Sequence, residues 1–235
     1  MRITASHRGE YGEIWLSLLN KATRTQVCNL ITGATRAEKI DEHGWKFGQS
    51  FDKHGRGWAL NWDVYGVGRD YHSKRTLIVL QIRQYIRRRK NGFAQKRRSY
   101  FLIGRNEDNS IFAHCVPGTV VKAAIRLQRD VIKAVQDWIF YTDYKRVVRQ
   151  GDIGLIPWRG KHMKDVKPVP EVLLQDSHHL TGKQILTRAD GAIYVENPHL
   201  VHMNHTHPDI QETGWFRVIT GRRADYWDFA PPTID

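Results

Sequence analysis

The pattern of apolar residues along the chain changes near residues 143–149. Before that point, apolar residues recur at helical spacing over residues 119–140 and form a continuous stripe, which predicts one long helix. After it, the sequence breaks into short β-rich runs separated by Gly and Pro turns. These runs cover residues 153–157, 172–175, 184–187, 192–195 and 215–219. Because the two stretches differ in their sequence pattern, this chain of 235 residues is predicted to contain two parts.

The first part also carries strand patterns, either alternating or dense in β-branched residues. They lie at residues 58–64, 76–82, 99–104 and 111–116. Together with the long helix, they predict an α+β fold. Its first part is mixed α/β and spans residues 1–145, and its second part is a small all-β, barrel-like module spanning residues 146–235.

Composition excludes several classes of protein. An apolar content of 40% and a charged content of 26% are ordinary for a globular chain. No run approaches the roughly twenty apolar residues of a membrane span, and the first residues lack the apolar region of a secretory signal, so we expect no membrane partner. Cys28 and Cys115 are far apart and belong to no motif. This usage favours a reducing compartment, and we predict a cytoplasmic protein.

Positive charge is concentrated in one segment. The whole chain has a formal net charge of +13, and residues 74–98 contain ten Lys and Arg residues but no Asp or Glu. A protein with such an excess of positive charge attracts polyanions, of which nucleic acid is the commonest in the cytoplasm.

The basic ribbon, residues 74–100, interleaves arginine with aromatic residues and links two predicted strands. Arginine makes bidentate contacts to phosphate, and aromatic faces stack on unpaired bases, whereas a solvated loop is the alternative. No helix-turn-helix or zinc-finger spacing occurs, and the chain has eight Trp and nine Tyr, which favours RNA over DNA. The residues predicted to contact nucleic acid are Arg83, Tyr85, Arg87, Arg88, Arg89, Lys90, Lys96, Arg97, Arg98 and Tyr100.

Six of the twelve histidines fall within residues 178–207. Imidazole combines a pKa near neutrality with a metal-ligating nitrogen, so the cluster indicates a metal site, a proton-transfer site or a phosphate-binding site. The alternative is an exposed polar loop. The spacing of His205, His207 and Glu212 is similar to part of the cupin metal motif, but no histidine follows Glu212, which argues against a regular cupin. His179 begins a His-x-Thr half-motif of the two-histidine phosphoesterases, and the chain has no second such motif.

Five short motifs follow one another in the C-terminal part. They are RQGDIGLIP at residues 149–157, HLTG at 179–182, IYVENP at 193–198, HMNH at 202–205 and GWFRV at 214–218. In this order they resemble an uncharacterised bacterial and phage-borne family with no established activity. The resemblance covers about 75 residues and singles out His179, His202 and His205. Where the family is expected to carry a further histidine, this chain has Lys183 and Gln184.

Three hypotheses follow. The first is a nucleic-acid-binding protein, with RNA favoured, that uses the basic ribbon. The second is an enzyme that depends on a divalent transition metal, Zn or Fe, bound by His179, His202 and His205, with His207 or Glu212 as the acid–base residue. The two could combine in a nucleic-acid-processing enzyme. The third is a structural subunit of a larger assembly.

Overall fold

The structure is a computed structural model that describes residues 49–51, 57–87, 94–106, 108–109, 111–159, 164–204 and 207–224, with 49–51, 57–63, 82–87, 94–98 and 111 described by their backbone alone. Its first element is a five-stranded antiparallel meander in which each strand pairs with the next along the chain. The strands are β1 (Gln49–Phe51), β2 (Gly57–Arg69), β3 (Thr76–Arg87), β4 (Ala94–Arg105) and β5 (Ile111–Val116).

Residues 77–81 of β3 and residues 99–103 of β4 are buried on both faces of the meander. Leu77 and Val79 lie on one face of β3, and Ile78 and Leu80, both 0% exposed, lie on the other. The register places Val79 opposite Leu102 on β4. Burial on both faces explains why this segment is a continuous apolar run and does not alternate with polar residues.

Two short helices replace the long helix predicted over residues 119–140. They are α1 (Gly118–Arg126) and α2 (Val131–Phe140). The first ends in a Schellman motif, in which the Arg129 N–H donates to the Ala124 carbonyl and Gln128 takes a φ of 53°. Asp130 then caps the second helix, because its side chain accepts from the Lys133 N–H at 2.9 Å. The prediction of one helix was wrong, since an apolar stripe that continues in phase does not reveal a local stop and restart.

Helix α2 lies on the meander where β2 has no side chains to obstruct it. A Cβ at Gly66 would be 3.0 Å from the Val131 Cβ, and one at Gly68 would be 3.0 Å from the Ile132 Cγ1. The first core forms at this contact, and it also includes Leu102 and Tyr144.

The C-terminal part consists of short strands in two antiparallel sheets, after a 3₁₀ helix at Tyr144–Arg146. The strands are β6 (Val148–Gln150), β7 (Ile153–Pro157), β8 (Val166–Val169), β9 (Val172–Leu174), β10 (His178–Thr181), β11 (Gln184–Arg188), β12 (Ile193–Glu196), β13 (His199–His202), β14 (Ile210–Gln211) and β15 (Trp215–Thr220). One sheet has the order β14-β13-β10-β9 and the other has the order β6-β7-β15-β12-β11-β8.

The two C-terminal sheets pack through a second core. Leu180 and Leu200 from the four-stranded sheet contact a cluster that includes Ile185 and Val195 from the six-stranded sheet. Ile156 and Ile219 extend from the six-stranded sheet to the first core, so the two parts of the chain are in direct contact.

The predicted α+β fold class is therefore wrong for the described residues. They form three antiparallel sheets with two short α-helices, and they contain neither one long helix nor a closed barrel. The barrel-like prediction failed because short strands with Gly and Pro turns are common to barrels and to packed pairs of sheets.

Candidate functional site

A cavity of about 330 Å³ lies where the meander meets the C-terminal sheets. The meander and α2 contribute apolar walls, such as Leu77 and Ile139, and the buried Asp70. The C-terminal part contributes almost entirely polar groups. We call this cavity the histidine pocket, after His178, His202 and His207, which line it together with Gly151 and Asp152.

His178 and His202 face each other across two paired strands. His178 begins β10 and His202 ends β13, and the register places them directly opposite each other. Opposite residues of an antiparallel pair project to the same face, so both imidazoles reach the pocket. Their ring centroids are 4.6 Å apart and the ring planes are nearly perpendicular at 87°.

His207 completes a group of three imidazoles. Its ring centroid lies 5.2 Å from that of His202 and 6.4 Å from that of His178. Gly151 makes room for the group with a φ of +59°. A Cβ at this position would lie 3.2 Å from His207 Nε2 and 3.5 Å from His178 Nε2, so the two nitrogens flank the same point.

His178 is the most enclosed of the three. It is 3% exposed, its Nδ1 lies 2.9 Å from Ser177 Oγ, and its buried Nε2 has no hydrogen-bond partner among the described residues. Burial lowers the pKa of His178, and the neighbouring His202 and His207 lower it further, while Asp152 and the Gln150 carbonyl act in the opposite direction. The ring is therefore biased toward its neutral form.

The backbone fixes the tautomer of neutral His202. The Asn204 N–H donates to His202 Nδ1 at 3.2 Å. Because this nitrogen accepts a hydrogen bond, the proton of the neutral ring belongs on Nε2.

Asp152 is held at the side of the pocket. Gln175, with its amide nitrogen facing Asp152, donates to both carboxylate oxygens at 2.7 Å. Arg223 lies 3.4 Å from the same carboxylate. The Gly221 N–H donates to the Asp152 carbonyl at 2.7 Å, which ties the turn after β6 to the end of β15.

A buried ion pair fixes the opposite wall. Asp70 Oδ2 accepts from Tyr144 Oη at 2.7 Å and lies 3.2 Å from Arg149 Nη2, while its Oδ1 accepts from the His72 and Ser73 amides. Burial alone would raise the pKa of Asp70, but the Arg149 guanidinium, the Tyr144 hydroxyl and the two amides outweigh it and leave this pKa lowered. Burial is also the main reason that the pKa of Tyr144 is raised. This network joins the β2–β3 turn to β6.

Of the predicted metal ligands His179, His202 and His205, the structure places the first two on opposite faces of their sheet. His179 follows His178 in β10, so it projects to the other face, where its Nε2 lies 2.8 Å from Glu171 Oε2. His205 lies outside the described residues. Of the two acid–base candidates, His207 lines the pocket and Glu212 does not. Among the residues that the structure describes, no group of three or more His, Cys, Asp or Glu side chains is arranged to hold a metal ion.

The basic ribbon lies mostly on β3 and β4. The register places Arg83 opposite Arg98 and Tyr85 opposite Lys96. Tyr100, predicted to stack on bases, is 1% exposed and belongs to the first core. The predicted contacts Arg88, Arg89 and Lys90 lie outside the described residues.

Sequence reasoning missed His178, Asp70 and Asp152 as pocket residues. His178 could have been found from strand alternation and the pairing of two His-containing strands, although the choice between it and its neighbour needs the register. Asp70 lies 79 positions before its partner Arg149, and no local pattern connects them.

Comparisons with known proteins give no match for this chain: no family model, no curated protein and no solved structure is similar to it. Within the described part of the chain, the helices are all too short or too polar to cross a membrane.

Proposed function

We propose that the protein binds single-stranded RNA in the cytoplasm, and that the basic ribbon on β3 and β4 is the main contact surface. The observation that carries the proposal is the register of these two strands. Arg83 lies directly opposite Arg98, and Tyr85 lies opposite Lys96, in a segment with no acidic residue.

Like charges at opposite positions tend to destabilise an antiparallel pair, and the register makes Arg83 and Arg98 such a pair. A bound polyanion removes the penalty, because each phosphate neutralises a cation that would otherwise repel its neighbour. The two strands pair over ten positions, and the part of this pairing that carries the cations, residues 82–87 with 94–99, is about 17 Å long at 3.3 Å per residue. That length fits several consecutive phosphates of one strand.

Exposed aromatic side chains next to cations support the binding of single-stranded RNA. Tyr141 is 58% exposed and its ring centroid lies 3.3 Å from the Arg222 guanidinium carbon. Tyr71 is 45% exposed and lies below the ammonium groups of Lys74 and Lys145. Bases stack on such rings whatever their sequence, and nearby cations contact the backbone.

The test is the salt dependence of binding to a 20-nucleotide single-stranded RNA. The triple variant Arg87→Gln, Arg88→Gln, Arg89→Gln removes three cations of the basic ribbon. The matched control Arg126→Gln, Arg129→Gln, Arg217→Gln removes three exposed cations elsewhere. We expect the first triple to lower the slope of log K against log salt by about 2, since each phosphate contact to a single strand contributes about 0.7.

The control should leave the slope within about 0.5 of the unchanged protein. Equal effects of the two triples would show that net charge, not the ribbon, drives binding. A slope near zero for the unchanged protein would refute the proposal. DNA of the same sequence is the second ligand, and tighter binding to DNA would overturn the assignment to RNA.

A further inference from the structure

We propose that the histidine pocket cleaves RNA by general acid–base catalysis, with His178 as the base, His207 as the acid and His202 as a hydrogen-bond donor to the phosphoryl group. This inference rests on the proposed binding of RNA and assigns a reaction to a site outside the basic ribbon.

The protonation pattern of the pocket suits these roles. His178 Nε2 is buried and has no partner in the described structure, and Ser177 Oγ can accept the proton of Nδ1. That tautomer leaves Nε2 as a base that faces the cavity. His207 Nε2 lies close to His178 Nε2 beside Gly151, since a Cβ built on Gly151 would be 3.2 Å from the first nitrogen and 3.5 Å from the second. A base and an acid within reach of the same nucleotide are what a displacement at phosphorus requires.

The contact from Asn204 favours acid–base chemistry over metal ligation. A histidine that binds a metal through one nitrogen almost always donates a hydrogen bond from the other. In His202 the direction is reversed, because Nδ1 accepts from the Asn204 N–H. Neutral His202 therefore presents Nε2–H as a donor, which suits a non-bridging phosphoryl oxygen on which charge develops.

The reaction is a transesterification that needs no co-reactant. His178 Nε2 takes the proton of a ribose 2′-hydroxyl, and the 2′-oxygen forms a bond to phosphorus. The bond from phosphorus to the 5′-oxygen breaks, and His207 in its protonated form gives a proton to that oxygen. The products are a 2′,3′-cyclic phosphate and a 5′-hydroxyl. A cavity of about 330 Å³ is large enough for the reacting nucleotide.

The pocket and the far end of the basic ribbon are well separated. Leu77, at the start of β3, lines the pocket, and Arg87 ends the same strand. An RNA that contacts both must follow the length of β3, about 36 Å. A dinucleotide should be cleaved without help from the ribbon, whereas a 20-nucleotide RNA should gain affinity from it.

The test measures cleavage of both substrates in EDTA, with mass spectrometry of the products and a separate measurement of RNA affinity. His178→Gln should lower kcat at least 100-fold, the usual contribution of a general base, and leave the affinity for RNA unchanged. Gly151→Ala places a methyl group within 3.5 Å of both Nε2 atoms and should have a similar effect. Gly191→Ala is its matched control, since Gly191 also has a positive φ, +82°, and a Cβ there contacts nothing within 4 Å; its kcat should stay within twofold.

Each other result is decisive. Absence of a cyclic phosphate product, or equal activity of His178→Gln and the unchanged protein, overturns the inference. Activity that is lost in EDTA and restored by Zn²⁺ or Mn²⁺ would replace it with a metal site. Cleavage of the dinucleotide without binding of the longer RNA would refute the proposed function and leave the pocket chemistry standing. Binding of the longer RNA without cleavage of either substrate would overturn the pocket chemistry and leave the proposed function standing.

Discussion

The meander and the C-terminal sheets place their functional residues in opposite ways. In the meander, β3 and β4 are 12 residues long, and five cations of the basic ribbon lie on them, within residues 83–87 and 96–98. In the C-terminal part the strands are two to six residues long. The histidine pocket therefore collects side chains from many separate segments, from Asp70 to Arg223.

This difference decides what each surface can do. A row of cations on two long strands provides an extended contact of low geometric precision, which suits a flexible polyanion. A site assembled from short strands and turns fixes individual atoms against each other, as the His178–His202 pair and the Asp152 contacts do. Precise placement of this kind is what catalysis requires.

The largest effect should come from removing the buried ion pair that joins the meander to the C-terminal sheets. Asp70→Ala leaves Arg149 buried without its carboxylate, and we expect it to lower the free energy of unfolding by about 3–5 kcal/mol. Asp190→Ala removes the partner of Arg188 at an exposed turn, where solvent screens the pair, and should change stability far less. Urea denaturation of both variants measures the contrast. Similar losses would mean that the buried pair does not hold the two regions together.

A second variant pair tests whether the regions unfold together. Leu77→Ala opens the first core and Leu180→Ala opens the second, and each should cost about 2–5 kcal/mol. Since Ile156 and Ile219 connect the cores, we expect each variant to shift one common transition. Fluorescence and circular dichroism should then give coincident curves. Two separate transitions, each sensitive to one variant only, would show independent domains.

The sequence was informative wherever a property depends on neighbours along the chain. The short runs at residues 153–157 and 215–219 match β7 and β15 to within one residue, because turns and β-branched runs are local signals. The choice between His178 and His179 was not local. It depends on which residue of β10 faces His202, and one step of register exchanges the two faces. The family resemblance selected His179, the one of the two that faces away from the pocket.

Acid should destabilise both regions through one histidine each. Burial is the main cause that lowers the pKa of His178 in β10 and of His114 in β5. The unfolded chain therefore binds these protons first as the pH falls, and stability should decline from about pH 6.5 downward, by at most about 1.4 kcal/mol per pH unit for each proton.

His178→Gln and His114→Gln should each flatten this decline, which unfolding experiments between pH 7.5 and 5 would measure. His179→Gln is the control, since His179 is partly exposed and faces Glu171. An unchanged pH profile in both test variants would show that other groups dominate acid sensitivity.

The smallest effects should appear at the break between α1 and α2, the feature that the helical pattern concealed. Asp130→Ala removes the cap on the Lys133 N–H and should cost about 1 kcal/mol. Gln128→Gly should act in the opposite direction, because glycine adopts the φ of 53° without steric cost, although the greater freedom of the unfolded chain limits the gain to a few tenths of a kcal/mol. Opposite signs at two positions this close can arise only if the chain stops one helix and starts another there. If both changes destabilise the protein equally, the segment behaves as one continuous helix, as the apolar stripe predicted.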